Sequence, residues 1–267
     1  MLVVALNFAD SDFTTPITYK EYILEKLSPV VGEKQENVLV VLPAYSALFL
    51  AYCFGDLGDV QNFTEAIRIF QTLPPSWHLA WLTLQQDLSA ELRIWFVCGT
   101  TFTSTNGNLY HEAVFLTPQG TILGRQKQLT LSAAEKKLGF IQGEERQVFT
   151  TPMGKIGIML GADAWHGETG QALSRQGAEI ICYCGAMPKT TSCRQAEGMW
   201  QQVQQNKFFC VESQLFANIA GHQFQAKTQI LAPCELTSDF SGILAQHTTD
   251  GRPVFATLNK LKFSPCS

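Results

Sequence analysis

The sequence predicts an α/β fold, a mixed β-sheet covered by helices, built as one domain over residues 1–267. Three observations point there. Apolar runs rich in Val and Ile, such as VLVVL at 38–42 and IICYC at 180–184, have the length of buried strands rather than of helices. The Pro118-Gln119-Gly120 turn folds residues 112–127 into a hairpin, which makes two neighbouring strands antiparallel. Amphipathic segments separate other strands, so the sheet is mixed rather than a pure βαβ array.

The elements follow in order. Residues 2–7 read as the first strand. Thr15 is an N-cap with Pro16 in the first turn, and Tyr19, Tyr22, Ile23, Leu27 and Val30 recur at helical spacing until Pro29 stops them. A strand at 37–42 leads to an elbow at 43–56, helical segments between about 60 and 92, and a buried strand at 94–102. In the second half the strand candidates are QVFTT, KIGIML, EIICYCG, FFCVESQ, TQILAP and GILAQ, with amphipathic segments at about 167–177 and 192–206. Residues 38–54 are the longest apolar stretch, but Pro43 interrupts it, so it reads as strand and turn and not as a membrane span.

Composition narrows the function. Hydrophobic residues make up 46% and charged residues 16%, enough apolar material for a sizeable core. A net charge of −4 without a basic cluster argues against a nucleic-acid partner. The N-terminal MLVVALNFADSDF lacks the basic region and small-residue cleavage site of a secretory signal, so a cytoplasmic location is expected. Eight cysteines (Cys53, Cys98, Cys182, Cys184, Cys193, Cys210, Cys234 and Cys266) are then expected as reduced thiols, several of them packed in apolar strands. Their spacing lacks the paired CxxC of a zinc site, and neither GKIG nor GRQK has the form of a phosphate loop. No metal and no cofactor are expected.

Three segments, in order, carry a family resemblance: NVLVVLPAYSALFLAY at 37–52, TPQGTILGRQKQLTLSAAEKKLGFIQGEE at 117–145, and PMGKIGIMLGADAWHGETGQALSRQGAEIICYCGA at 152–186. Together they resemble the nitrilase, or carbon–nitrogen hydrolase, superfamily, and QQNKFFCVESQLFAN adds a weaker match near the tail. The resemblance implies an α-β-β-α sandwich that pairs through its helical face into a four-layer homodimer or a higher homo-oligomer. It also implies a chemistry in which a cysteine thiolate attacks a nitrile or amide carbon. A glutamate moves protons, a lysine stabilises the tetrahedral intermediate, and a second glutamate helps position these groups.

Carried over residue by residue, the resemblance puts the lysine at Lys127 and the second glutamate at Glu135. The general base falls on Ala44 and the nucleophile on Gly161, neither of which can do that work. The implied protein is a pseudoenzyme that binds a small amide, nitrile or carboxylate, or that acts as a scaffold or regulator. The alternative is an enzyme of altered chemistry on a carbon–nitrogen or acyl substrate, using Lys127 and Glu135 with Cys184 or His166. Cys184 and Cys53 are either substitute thiols near the pocket or packed core residues. His166 is an acid or base, or a turn residue facing solvent. Asp163 is expected to fix the turn through backbone hydrogen bonds, and Trp165 to pack at the pocket rim or the dimer surface. Lys127 is expected either to pair with Glu135 or to hold an anionic ligand such as a carboxylate.

Overall fold

Alternation along the strands sets the architecture. In β1 (Leu2–Ala5), Leu2 and Val4 enter one core layer while Val3 and Ala5 enter another. After α1 (Pro16–Leu27), β2 (Val38–Val41) does the same, with Val38 and Val40 on one side and Leu39 and Val41 on the other. A strand with apolar side chains on both faces needs a covering layer on each. The first layer is helical and the second is another sheet.

The computed structural model of the protein describes residues 1–8, 13–32, 37–188, 198–247 and 251–259. From β2 the chain continues through α2 (Ser46–Cys53), α3 (Phe63–Thr72) and α4 (Pro75–Leu92). Next come β3 (Trp95–Thr105), β4 (Asn108–Leu116), β5 (Ile122–Lys127), α5 (Ala133–Lys137), β6 (Val148–Thr151) and β7 (Gly154–Leu160). A short 3₁₀ turn at Gly161–Trp165 leads to α6 (Gly167–Arg175), β8 (Ile180–Gly185), α7 (Trp200–Asn206) and β9 (Phe209–Gln214). The chain then forms β10 (Ala217–Ile219), β11 (His222–Phe224), β12 (Thr228–Leu231), β13 (Ile243–His247) and β14 (Val254–Thr257).

One six-stranded sheet has the order β14-β1-β2-β3-β4-β5 and the other β13-β12-β9-β8-β7-β6. In the first, β1, β2 and β3 are parallel; in the second, β7, β8 and β9 are parallel; the outer strands run antiparallel in both. Val3, Leu39, Val41 and Val97 of the first sheet meet Ile156, Ile158, Cys182 and Val211 of the second in a shared apolar layer. The outer face of the first sheet packs Tyr19, Ile23, Ile67 and Leu88 from α1, α3 and α4. The outer face of the second packs Leu173 of α6 and Val203 of α7 against Met159, Ile181 and Tyr183. The fold is an α-β-β-α sandwich.

Several boundaries differ from the sequence reading. Residues 43–56 hold α2 and not only an elbow, and α1 ends at Leu27, leaving Val30 outside it. The longer hairpin joins β3 to β4 through Asn106 and Gly107, both at positive φ (54° and 77°), the geometry that an Asn-Gly turn favours. The helix α5 and the strands β10, β11 and β14 were not anticipated, three of the four having four residues or fewer and so no readable period. Cys193, Cys266 and the start of the 192–206 segment lie outside the described residues. Among the described residues no helix is long and apolar enough to cross a membrane.

Candidate functional site

The C-terminal ends of the parallel strands β2, β7 and β8 meet at one pole of the sandwich, where a cavity of about 540 Å³ opens. Ala44, just past β2, and Gly161, just past β7, both line it. The turn carrying Gly161 is held from several sides. Asp163 Oδ1 accepts the backbone N–H groups of Leu129 at 3.0 Å and Thr130 at 2.7 Å, and Oδ2 accepts that of Leu160 at 3.0 Å. Gln202 of α7 donates to the Ala164 carbonyl at 2.7 Å, and the Tyr183 hydroxyl donates to the Gly161 carbonyl at 2.9 Å. Asp163 is therefore a fully buried tie and not a wall of the cavity. Burial pushes its carboxyl up to about 7, against the pull of the three N–H donors.

A polar network underlies the cavity floor. The Thr100 hydroxyl accepts the Tyr45 N–H and meets His111 Nε2. His111 Nδ1 lies 2.6 Å from Gln128 Oε1, and Gln128 Nε2 donates to the Thr130 carbonyl at 2.7 Å and to Glu135 Oε2 at 3.1 Å. The two acceptors on the Gln128 amine assign its oxygen to His111, so Nδ1 carries the proton. Ser132 caps α5, and its N–H donates to Glu135 Oε2 at 2.7 Å. Burial pushes the Glu135 carboxyl up, but hydrogen bonding and charge from His111, with the Ser132 donors, more than offset it and hold it below the usual carboxylate range. Tyr45, at a left-handed φ of 59°, stacks its ring on His111 at 4.9 Å.

The structure separates residues that the sequence reading had grouped. Glu135, Trp165, Ala44 and Gly161 share the cavity. Lys127 does not. Its Nζ lies over the Tyr110 ring, 3.6 Å from the centroid, in a different cleft shared with Glu112, Arg125, Glu144 and Glu145. Glu135 meets His111 and Gln128 instead of Lys127, with His111 Nδ1 3.6 Å from Glu135 Oε1. The residue facing Gly161 is the next one along, Gln128: a Cβ built on Gly161 would lie 3.1 Å from Gln128 Nε2. The same displacement affects Cys184. It faces the layer between the sheets, fully buried, while its neighbour Tyr183 lines the cavity. Burial pushes the Cys184 thiol well up, the reverse of what a nucleophile needs. Cys53 packs at the edge of the helical core, and His166 is exposed and outside the cavity wall.

The sequence reading missed His111, Gln128 and a wall of rings. Tyr45 lies 5.4 Å from Phe63 and 5.8 Å from Phe224, and Phe63 lies 5.0 Å from His222, centroid to centroid. Among the described residues that line the cavity there is no cysteine, lysine or arginine, and no group of described His, Cys, Asp or Glu is placed to hold a metal ion. Chemically, the site offers one ionised carboxylate, several amide and hydroxyl groups, and aromatic faces.

The carbon–nitrogen hydrolase family model matches residues 20–228. The N-carbamoylputrescine amidase of Solanum tuberosum is 24% identical over 185 residues, covering 68% of this chain and 57% of that protein. The match thus spans little more than half the length of that relative. The omega-amidase NIT2 of Homo sapiens is 21% identical over 188 residues, 67% of this chain and 66% of its own. Among solved structures, the amidase from Nesterenkonia sp. AN1 bearing the acetamide moiety of fluoroacetamide on its active site cysteine superposes with a TM-score of 0.76 at 13% identity, over 97% of this chain and 90% of that one. Saccharomyces cerevisiae Nit3, a member of branch 10 of the nitrilase superfamily, gives 0.71 at 15% identity, over 96% and 89%. At such identities the structural likeness concerns the fold.

Proposed function

This chain belongs to the carbon–nitrogen hydrolase family, and we propose that it binds a small ligand in the Gly161 cavity without the family's thiol-dependent hydrolysis. One observation carries the reading: Ala44 and Gly161 line the cavity where the resemblance places a general base and a thiol, and the side chain that approaches Gly161 is Gln128 while Lys127 lies in another cleft. Ala44 has no proton to move, Gln128 no charge to lend an oxyanion, and Gly161 no side chain. Where such groups act as a unit, loss of the nucleophile alone costs on the order of 10⁶ in turnover. The test is ammonia release from a panel of amides and nitriles by the natural chain. Release at the rate of the protein-free control is expected, and turnover above it overturns the reading.

The alternative, a relocated thiol, makes a separate demand. A substitute nucleophile must be ionised and reachable near neutral pH. Cys98, Cys182, Cys184 and Cys210 are buried, and burial raises all four thiols well above their ordinary value. Under iodoacetamide at neutral pH these four are expected to modify only on unfolding, read residue by residue by peptide mass. Rapid modification of any of the chain's eight cysteines in the folded protein would favour altered chemistry over simple binding.

A further inference from the structure

We propose that the Gly161 cavity selects a small organic ammonium, held through Glu135 and the aromatic wall. The inference rests on reading the cavity as a binding site and adds the charge class of its ligand. Glu135 is 7% exposed, and its Oε2 is spent on the Ser132 N–H and the Gln128 amine. Among the described residues, the donor near its Oε1 is His111 Nδ1, at 3.6 Å, and that N–H lies nearer Gln128 Oε1 at 2.6 Å. Lone pairs on Oε1 are therefore left for a donor from the cavity. No lysine or arginine among the described lining residues balances this carboxylate, because Lys127 sits in another cleft. Burial lowers His222 from its ordinary value, so that ring adds no positive charge near neutral pH.

The wall suits the same guest. Tyr45, Phe63 and Phe224 all line the cavity, and aromatic rings attract a cation, most strongly when water is excluded. A primary ammonium satisfies both elements at once, giving Glu135 a charge-assisted hydrogen bond and the rings a cation. A carboxylate ligand would meet the Glu135 charge with no lysine or arginine among the described lining residues to offset it, and a neutral amide would gain the hydrogen bond alone.

The probes are n-butylammonium, butyramide and butyrate, compared by titration calorimetry on the full chain at neutral pH. Butylammonium is expected to bind at least about tenfold tighter than butyramide, with butyrate the weakest. Glu135→Gln is expected to erase the preference for the ammonium while butyramide still binds. Because Glu135 also caps α5, a second variant, Phe224→Leu, leaves that cap intact and should weaken butylammonium several-fold with little effect on butyramide. Butyramide or butyrate binding as tightly as butylammonium overturns the proposal, as does the absence of binding by all three. Ammonia released by the natural chain would overturn the loss of hydrolysis instead, and leaves the ammonium preference to be judged on its own titration.

Discussion

Adding Gln128→Lys to a variant that already carries Ala44→Glu and Gly161→Cys is expected to raise ammonia release from small amides by at least about 10²-fold, since a preorganised oxyanion donor is worth about 10²–10³ in turnover. The two-residue variant and the natural chain should both stay at background. The reason is local. A cysteine at position 161 would take over a φ of +46°, which an L-residue adopts at a cost of about 1–2 kcal/mol. Its Cβ would sit 3.1 Å from the end of the Gln128 side chain, which must shift by a few tenths of an ångström. Both Gln128 amine hydrogens are committed, one to Thr130 and one to Glu135, so neither is free for a developing oxyanion. Worse, the new thiol would lie near two carboxylates, the glutamate introduced in place of Ala44 and the native Glu135, which oppose thiolate formation. A lysine in place of Gln128 reverses the electrostatic part: it pairs with the carboxylates, favours the thiolate and supplies a cation beside position 161. Equal activity in the two- and three-residue variants would remove Gln128 from the missing set. Activity in the natural chain would sink the pseudoenzyme reading altogether.

How this site was legible in sequence, and how it was not, comes down to strand parity. The Val and Ile runs gave the strands because apolar residues on both faces leave a continuous apolar string, and the Gly161 turn was located because glycine stands where a side chain was expected. Lys127 and Cys184 each stand one residue from a side chain that points towards this site: Gln128 approaches Gly161, and Tyr183 lines the cavity. Adjacent residues on a strand point to opposite faces, so an offset of one exchanges the cavity for the other side of the sheet. Matching by residue type selects Lys127, because Gln128 carries no chemical flag. The alternation places Lys127 with Arg125 and Glu112 in the neighbouring cleft.

The rest of the cavity depends on distant pairs. His111 acquires a role only once Tyr45 after β2, Thr100 in the middle of β3 and Gln128 just past β5 converge on it, at sequence separations of 11 and 17 residues for the two hydrogen-bonded partners. Phe63 at the start of α3 meets His222 and Phe224 of the three-residue β11, a strand too short to leave any pattern. The charge expected of the ligand turns on the same offset. A lysine in the wall argues for a carboxylate ligand; with Lys127 in another cleft and Glu135 in the wall, the cation proposed above is the alternative to be tested.

Removing the Asp163 side chain is expected to cause the largest loss of stability at this site. Asp163→Ala leaves three backbone N–H groups without their acceptor, at about 1–3 kcal/mol for each buried one, so a loss of about 3–6 kcal/mol should appear in urea unfolding. Asp163→Asn keeps an oxygen for Leu129 and Thr130 but turns an NH₂ toward the Leu160 N–H, at a cost of about 1–3 kcal/mol. The two variants also differ from the natural chain in pH dependence. The folded carboxyl is raised from an ordinary 3.8 to about 7, so between these values the folded state holds a proton that the unfolded chain has released. The stability this group contributes is therefore fully present below about pH 4 and is lost as pH rises towards 7. Measured against Asp163→Asn, the natural protein should gain stability on acidification from pH 7.5 to 4.5, by an amount on the order of a few kcal/mol. Parallel curves for the two proteins would show that the carboxyl is ionised throughout that range. Because Asp163 ties residues 129 and 130 to the Gly161 turn, Asp163→Ala should also loosen the grip of Gln128 on Glu135, and with it any ligand that Glu135 holds.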